Sequence, residues 1–141
     1  MSRAYGVDVS HYQLDIDWKK VKDAGKRFAI MKAQYEAKSH RKDEFFEANY
    51  KGCGDNGLMR GVYIFIGTQS IKDPALDAHS LLKHLNGRTL EYGIWLDMES
   101  ASLRASLPPA RRGFPVHVRA MIMALTLTYY RYLCPICQED F

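Results

Sequence analysis

Cysteine is scarce in this sequence: Cys53, Cys134 and Cys137 are the only three in 141 residues. Thiols so few and so unevenly spaced exclude a disulfide framework and suit a reducing compartment. Long apolar runs are missing too. The longest uncharged apolar stretch, Ala120 to Tyr130, is well short of the about 20 residues that a membrane-crossing helix takes, so no membrane span is expected. Met1-Ser2-Arg3-Ala4-Tyr5 leads directly into a strand pattern without the apolar segment of a secretory signal, so export would need another route. The sequence has no Gly-rich phosphate loop, no aromatic-interleaved basic run and no nucleic-acid module, which argues against nucleic acid as a partner. Lysine stops at Lys83: ten lysines lie at or before it, whereas the last 41 residues hold five arginines and no lysine. The net charge of +4 is therefore mostly a property of the tail, with fifteen basic against fourteen acidic residues in 1–100 and five against two in 101–141. A modest positive surface of this kind suits an anionic polymer such as a cell wall.

What is present is one domain's worth of core, with 47% hydrophobic and 12% aromatic residues. Tyr5 to Ser10 reads as a strand with Val7 and Val9 on one face and Gly6, Asp8 and Ser10 on the other. A short amphipathic helix follows, with Asp17 as its N-cap, Trp18 and Val21 on one face and Gly25 as its stop. Arg27 to Ala33 is a nearly continuous apolar run and predicts a strand covered on both faces. The pattern then predicts a helix from about Asp43, taken as its cap, to Cys53, with Gly57 beyond its end. Gly61 to Ile66 is a third strand, with Tyr63 and Phe65 on one face. Asp73-Pro74 opens a third helix with Ala78, Leu81, Leu82 and Leu85 as its buried stripe and Gly87 as its end. Short connections in the order β-α-β-α-β-α-β imply right-handed crossovers and a parallel sheet, and ligands bind such sheets at the carboxyl ends of the strands.

The fourth strand is the one with chemistry. In Gly93-Ile94-Trp95-Leu96-Asp97-Met98-Glu99, side chains alternate between faces, so Trp95, Asp97 and Glu99 share one surface. The two acids then have Cα atoms roughly 6–7 Å apart, and paired carboxylates at such spacing can cleave a glycosidic bond. Asp8 lies at the same end of the expected sheet. Tyr12, Tyr63 and Trp95 are aromatic faces that could stack on sugar rings or equally belong to the core. His11, in the first strand-to-helix loop, reads as an ordinary loop histidine.

Taken together, Gly6-Val7-Asp8-Val9-Ser10-His11-Tyr12-Gln13, Ile16-Asp17-Trp18-Lys19-Lys20-Val21 and Leu96-Asp97-Met98-Glu99 make the chain resemble the glycoside hydrolase family 25 lysozymes, from residue 5 to about Leu103. The resemblance implies an α/β fold, a TIM-like (β/α) barrel that is incomplete here because only four βα units are visible. It also implies hydrolysis of the β-1,4 bond between N-acetylmuramic acid and N-acetylglucosamine in peptidoglycan, with no cofactor and no metal. By position Glu99 would be the general acid/base, Asp97 its partner, either as nucleophile or by steering the substrate's N-acetyl group, and Asp8 an orienting carboxylate. Tyr63, Tyr12 and Trp95 would be substrate contacts. The cell wall would be the place of action. Two departures bear on the subsites: Gln34-Tyr35-Glu36 stands where many relatives have Thr-Glu-Gly, and Ile64 where many have His.

Residues 1–103 are thus expected to form the N-terminal part of a catalytic domain and 104–141 an atypical tail. Leu107 to Gly113 is rich in chain breakers, and Val116 to Leu133 fits a helix or a strand. Cys134-Pro135-Ile136-Cys137 has the opening spacing of a zinc module, but a structural zinc needs four ligands and no second pair follows at a matching distance. The competing expectation is a non-catalytic fragment that binds wall glycan, or a truncated reading frame. An unclosed half barrel would leave sheet edges that favour self-association.

Overall fold

The four apolar runs become the strands β1 (Gly6–Val9), β2 (Phe28–Gln34), β3 (Met59–Phe65) and β4 (Ile94–Asp97). The amphipathic stretches between them become the helices α1 (Trp18–Asp23), α2 (Phe46–Asp55) and α3 (Pro74–Leu85). This is the element order expected from the sequence. The structure is a computed structural model that describes residues 3–35, 40–65 and 74–97. The chain divides into two compact units, Met1–Tyr35, Arg41–Phe65 and Thr89–Leu96 in one, and Glu36–His40, Ile66–Arg88 and Asp97–Phe141 in the other.

The sheet order is β1-β2-β3-β4. β1 and β2 pair in parallel, as do β2 and β3, and the Val62 N–H donates to the Gly93 carbonyl at 3.0 Å to seat β4 beside β3. Strands in sequential order with a helix in each connection are the arrangement of a β/α barrel wall. A doubly wound sheet reverses order in the middle. The fold is therefore the TIM-like α/β type, and among the described residues four strands of it are present.

Register sorts the residues onto two faces. Val9, Met31 and Val62 are aligned on one face and are buried, as are Ala29 and Ile64. α2 packs on β2 and β3, and Phe46, Cys53, Leu58 and Trp18 complete the core. On the other face Asp8 aligns with Ile30 and Gly61, and Lys32 with Tyr63; Asp8 is exposed and Ile30, Lys32 and Tyr63 are half-buried. The expectation that β2 is covered on both faces is thus corrected: its residues alternate between buried and half-buried as far as Lys32, because α2 covers one side. Between Lys32 and Gln34 the register shifts, leaving Ala33 as an extra residue that bends the strand end.

Local chemistry explains the helix ends. The Asp17 carboxylate accepts from the Lys20 N–H at 3.1 Å and caps α1, as predicted. Trp18 buries itself against Gly52 of α2, where an added Cβ would collide with the indole. Gly25, Gly57 and Gly87, with φ of 79, 66 and 73°, follow the three helices, in the left-handed conformation that only glycine adopts at no cost. Asp43 is a correction. α2 starts three residues later, at Phe46, with no side-chain cap, because the Asp43 carboxylate is used elsewhere.

In the second unit α3 begins at Pro74 and buries Ala78, Leu81 and Leu85, while Leu82 is half-buried. Asp73, its expected cap, lies outside the described residues. The helix holds His40: His84 Nε2 lies 2.7 Å from the His40 carbonyl, the Ser80 hydroxyl donates to the same oxygen at 3.3 Å, and the buried Asp77 carboxylate lies 3.2 Å from His40 Nδ1.

Candidate active site

Three of the residues singled out from the sequence, Asp8, Tyr63 and Asp97, lie in the second half of their strands. Asp8 is the third of the four residues of β1, exposed on the half-open face of the sheet. Tyr63 lies on β3 in register with Lys32 on that face and is half-buried. Asp97 is the last residue of β4 and is half-buried. Glu99, two residues further, lies outside the described residues, as do Glu36, the Leu107–Gly113 stretch, residues 116–133 and the Cys134/Cys137 pair.

Trp95 is more open than a residue in the middle of a strand usually is, with half of its surface exposed. Its indole N–H donates to the Tyr92 carbonyl at 2.8 Å. It closes a ladder in which Phe28 stacks on Tyr92 at 3.9 Å and Tyr92 on Trp95 at 6.3 Å. Gly6 lies under the Phe28 ring with no room for a side chain.

The loop after β1 is built by its own sequence. Ser10 and Gln13 form a capping box around the 3-10 turn His11–Gln13: the Ser10 N–H donates to Gln13 Oε1 at 2.7 Å, and Ser10 Oγ accepts from the Tyr12 N–H at 3.3 Å. The Ser-x-x-Gln spacing was available as a signal for this and was missed. The turn pushes Tyr12 outward until it is 79% exposed, the most open of the large hydrophobic side chains described.

A second group was not legible. Beyond the Ala33 bulge the chain returns so that the Tyr35 N–H donates to the Arg41 carbonyl (2.9 Å) and the Asp43 N–H to the Ala33 carbonyl (3.1 Å). This carries the Asp43 carboxylate, fully buried, to the β1 loop, where Oδ2 lies 2.8 Å from His11 Nδ1 and accepts from the His11 backbone N–H at 3.2 Å. Its other oxygen accepts from the Phe45 N–H at 3.0 Å. The His11 ring lies between Tyr12, at 4.1 Å, and Tyr35, at 5.1 Å between ring centres. Tyr35 in turn has Lys32 Nζ and the Arg41 guanidinium each 4.6 Å from its ring centre and donates to Glu44 at 2.7 Å. Burial, together with that hydrogen bond, pushes the Tyr35 phenol up to about 12, and the same bond holds Glu44 below the usual carboxylate range.

His11, Asp43 and Glu44 bring one ligand atom each within 4.8 Å of one another, close enough to hold a metal ion. Both Asp43 oxygens, however, already accept N–H groups, and Glu44 is tied to Tyr35 and to Arg41 at 2.9 Å. The trio is a hydrogen-bond network by its chemistry.

Comparison with known proteins meets this geometry. The family model described as Glycosyl hydrolases family 25 matches residues 7–119, running past Leu103, where the resemblance read from the sequence stops. The chain is 44% identical over 64 residues to Lysozyme M1 of Streptomyces globisporus, a stretch that covers 45% of this chain and 21% of that protein. Its structure resembles a family 25 glycosyl hydrolase from Bacillus anthracis (TM-score 0.69, 23% identity, 90% of this chain and 57% of that one). It also resembles the bacterial lysozyme of Streptomyces coelicolor (TM-score 0.64, 28% identity, 94% and 59%). The chain thus spans about a fifth of the curated relative and less than two thirds of either solved structure. A family match over residues 7–119, on a sheet whose strands run in sequential order, places this chain in glycosyl hydrolase family 25.

Proposed function

We propose that this chain carries the acidic half of a lysozyme-type muramidase, a glycosidase that cleaves the β-1,4 bond between N-acetylmuramic acid and N-acetylglucosamine of peptidoglycan without a cofactor. The observation that carries the reading is the position of the acids. Asp97 closes β4, and in an extended chain the Asp97-Met98-Glu99 spacing would put a second carboxylate on the same side, at the kind of strand end where β/α sheets bind ligands; Asp8 is the third of the four residues of β1. In this reading Glu99 is the proton donor. Asp97 supplies the counter-charge for the oxocarbenium-like transition state, as nucleophile or by steering the substrate's N-acetyl group, and Asp8 orients the pair. Close carboxylates disfavour each other's ionisation, which is how one of them keeps a proton to give at neutral pH.

Tyr12, Tyr63 and the Trp95 ring are the sugar contacts, Tyr12 with the largest open face. The place of action is the cell wall, outside the cell. No helix among the described residues is long and apolar enough to cross a membrane. Self-association of the polypeptide belongs to the same reading.

The test is Glu99→Gln in a sample whose circular dichroism matches the unmodified chain. Turnover of peptidoglycan should fall by at least about 10²-fold, as on loss of a general acid. Unchanged turnover would move the role to another residue. Glycan binding without turnover by the unmodified chain would favour a non-catalytic wall-binding protein.

A further inference from the structure

His11 is held more firmly than a loop histidine requires. Its backbone N–H and its Nδ1 both meet one oxygen of Asp43, a carboxylate with no solvent exposure, and its ring is flanked by Tyr12 and Tyr35. The buried Asp43 carboxylate can accept a hydrogen bond from Nδ1–H, and in that tautomer of the neutral ring Nε2 is a hydrogen-bond acceptor of fixed direction. The ring keeps 22% of its side-chain surface open, and the next residue, Tyr12, is almost wholly open. An acceptor nitrogen beside an exposed aromatic face, three residues after Asp8, matches what a pyranose presents: an apolar ring face rimmed by hydroxyl and amide donors.

We infer that His11, oriented by Asp43 and packed on Tyr35, is a specificity-determining glycan contact whose Nε2 accepts a hydrogen bond from a hydroxyl or N-acetyl N–H of the sugar stacked on Tyr12. The inference rests on the glycan-cleaving reading above. Asp43 and Tyr35 are positioning residues in it. The Ala33 bulge and the return of the chain through Arg41 to Asp43 are what bring the carboxylate to the β1 loop. A purely structural strut would need only the His11 backbone N–H and Nδ1. Its Nε2 would be indifferent to ligand.

That difference is what the experiment reads. The full 141-residue chain carrying Glu99→Gln, which should hold glycan without turning it over, is titrated with a soluble tetrasaccharide of alternating N-acetylglucosamine and N-acetylmuramic acid. The expected result is a saturable shift of the His11 Nε2 resonance in ¹⁵N NMR. Adding His11→Gln should weaken the Kd five- to tenfold, about the effect of one hydrogen bond. Binding with His11 resonances unmoved and an unaltered Kd for His11→Gln would overturn the inference and leave the glycosidase reading standing. Absence of any binding to the tetrasaccharide, with no turnover of peptidoglycan by the unmodified chain, would overturn both. The NMR arm uses the native histidine, so it decides even where His11→Gln fails to fold.

Discussion

At Gly6 a single hydrogen atom in place of a side chain sets how β1 meets β2. The two residues are register partners, and Phe28 lays its ring across Gly6 before stacking on Tyr92. A methyl group there would overlap the ring, so Gly6→Ala must displace Phe28 and break the ladder that ends at Trp95. We expect a loss of about 1–3 kcal/mol, the usual cost of overpacking, read from urea unfolding. Gly6→Ala in a Phe28→Leu background, where the flat ring is gone, should cost much less. Equal losses in both backgrounds would show that the ring is not what excludes the side chain. His11 and Trp95 also belong to this scale. One is a loop residue whose surroundings are built, and the other a strand residue left half open.

Between elements, one ion pair ties the start of β3 to the turn before β4. Arg60 meets the Glu91 carboxylate through Nη2 at 2.6 Å, Nε at 3.2 Å and its backbone N–H at 2.9 Å, and its guanidinium lies 4.5 Å from the Tyr50 ring centre. The Arg60 side-chain hydrogen bonds, opposed by desolvation, hold the Glu91 carboxyl down to about 2 against an ordinary 4.5. A depressed folded-state pKa contributes stability that is fully present above about pH 4.5 and lost as pH falls toward 2. With Glu91 side-chain exposure at 36%, screening limits the effect to about 0.5–1 kcal/mol. Glu91→Gln should therefore lower Tm by a few degrees, roughly 2–4 °C, at pH 7, and the gap to the unmodified chain should close between pH 4.5 and 2. A gap independent of pH would assign the loss to packing.

On the scale of the molecule, β1 and β4 are the outer strands of the sheet among the described residues, and the face that carries Asp8 and Tyr63 is half open. A β/α sheet positions its acids best when closed. Misplacement by about 1 Å can cost about 10²-fold in rate, and unpaired strand edges recruit other strands. On the proposed reading, in which these strand edges recruit a second copy, the purified 141-residue polypeptide should elute in size-exclusion chromatography above its 16.2 kDa and clear bacterial cell walls slowly in a turbidity assay. A monomer that lyses walls as fast as the Streptomyces coelicolor lysozyme would overturn that expectation.

Features that depend on neighbours a few residues apart were legible in the order of the amino acids. Asp17 caps α1, Pro74 opens α3, glycines follow the helices, and alternation sets Trp95 and Asp97 on one face of β4. Each needs only the chain's own period or a contact within one turn. The capping box of Ser10 and Gln13 was equally local and simply went unread. The folded chain alone decided the Ala33 bulge, the half-open side of β2 and the meeting of His11 with Asp43 across 32 positions. Asp43 shows why. As a helix-starting acid it satisfies every local rule, and it is drawn off only because the returning chain after β2 brings it against the β1 loop, where a buried carboxylate must find N–H donors and His11 supplies two. A contact of that length has no period for a sequence to display.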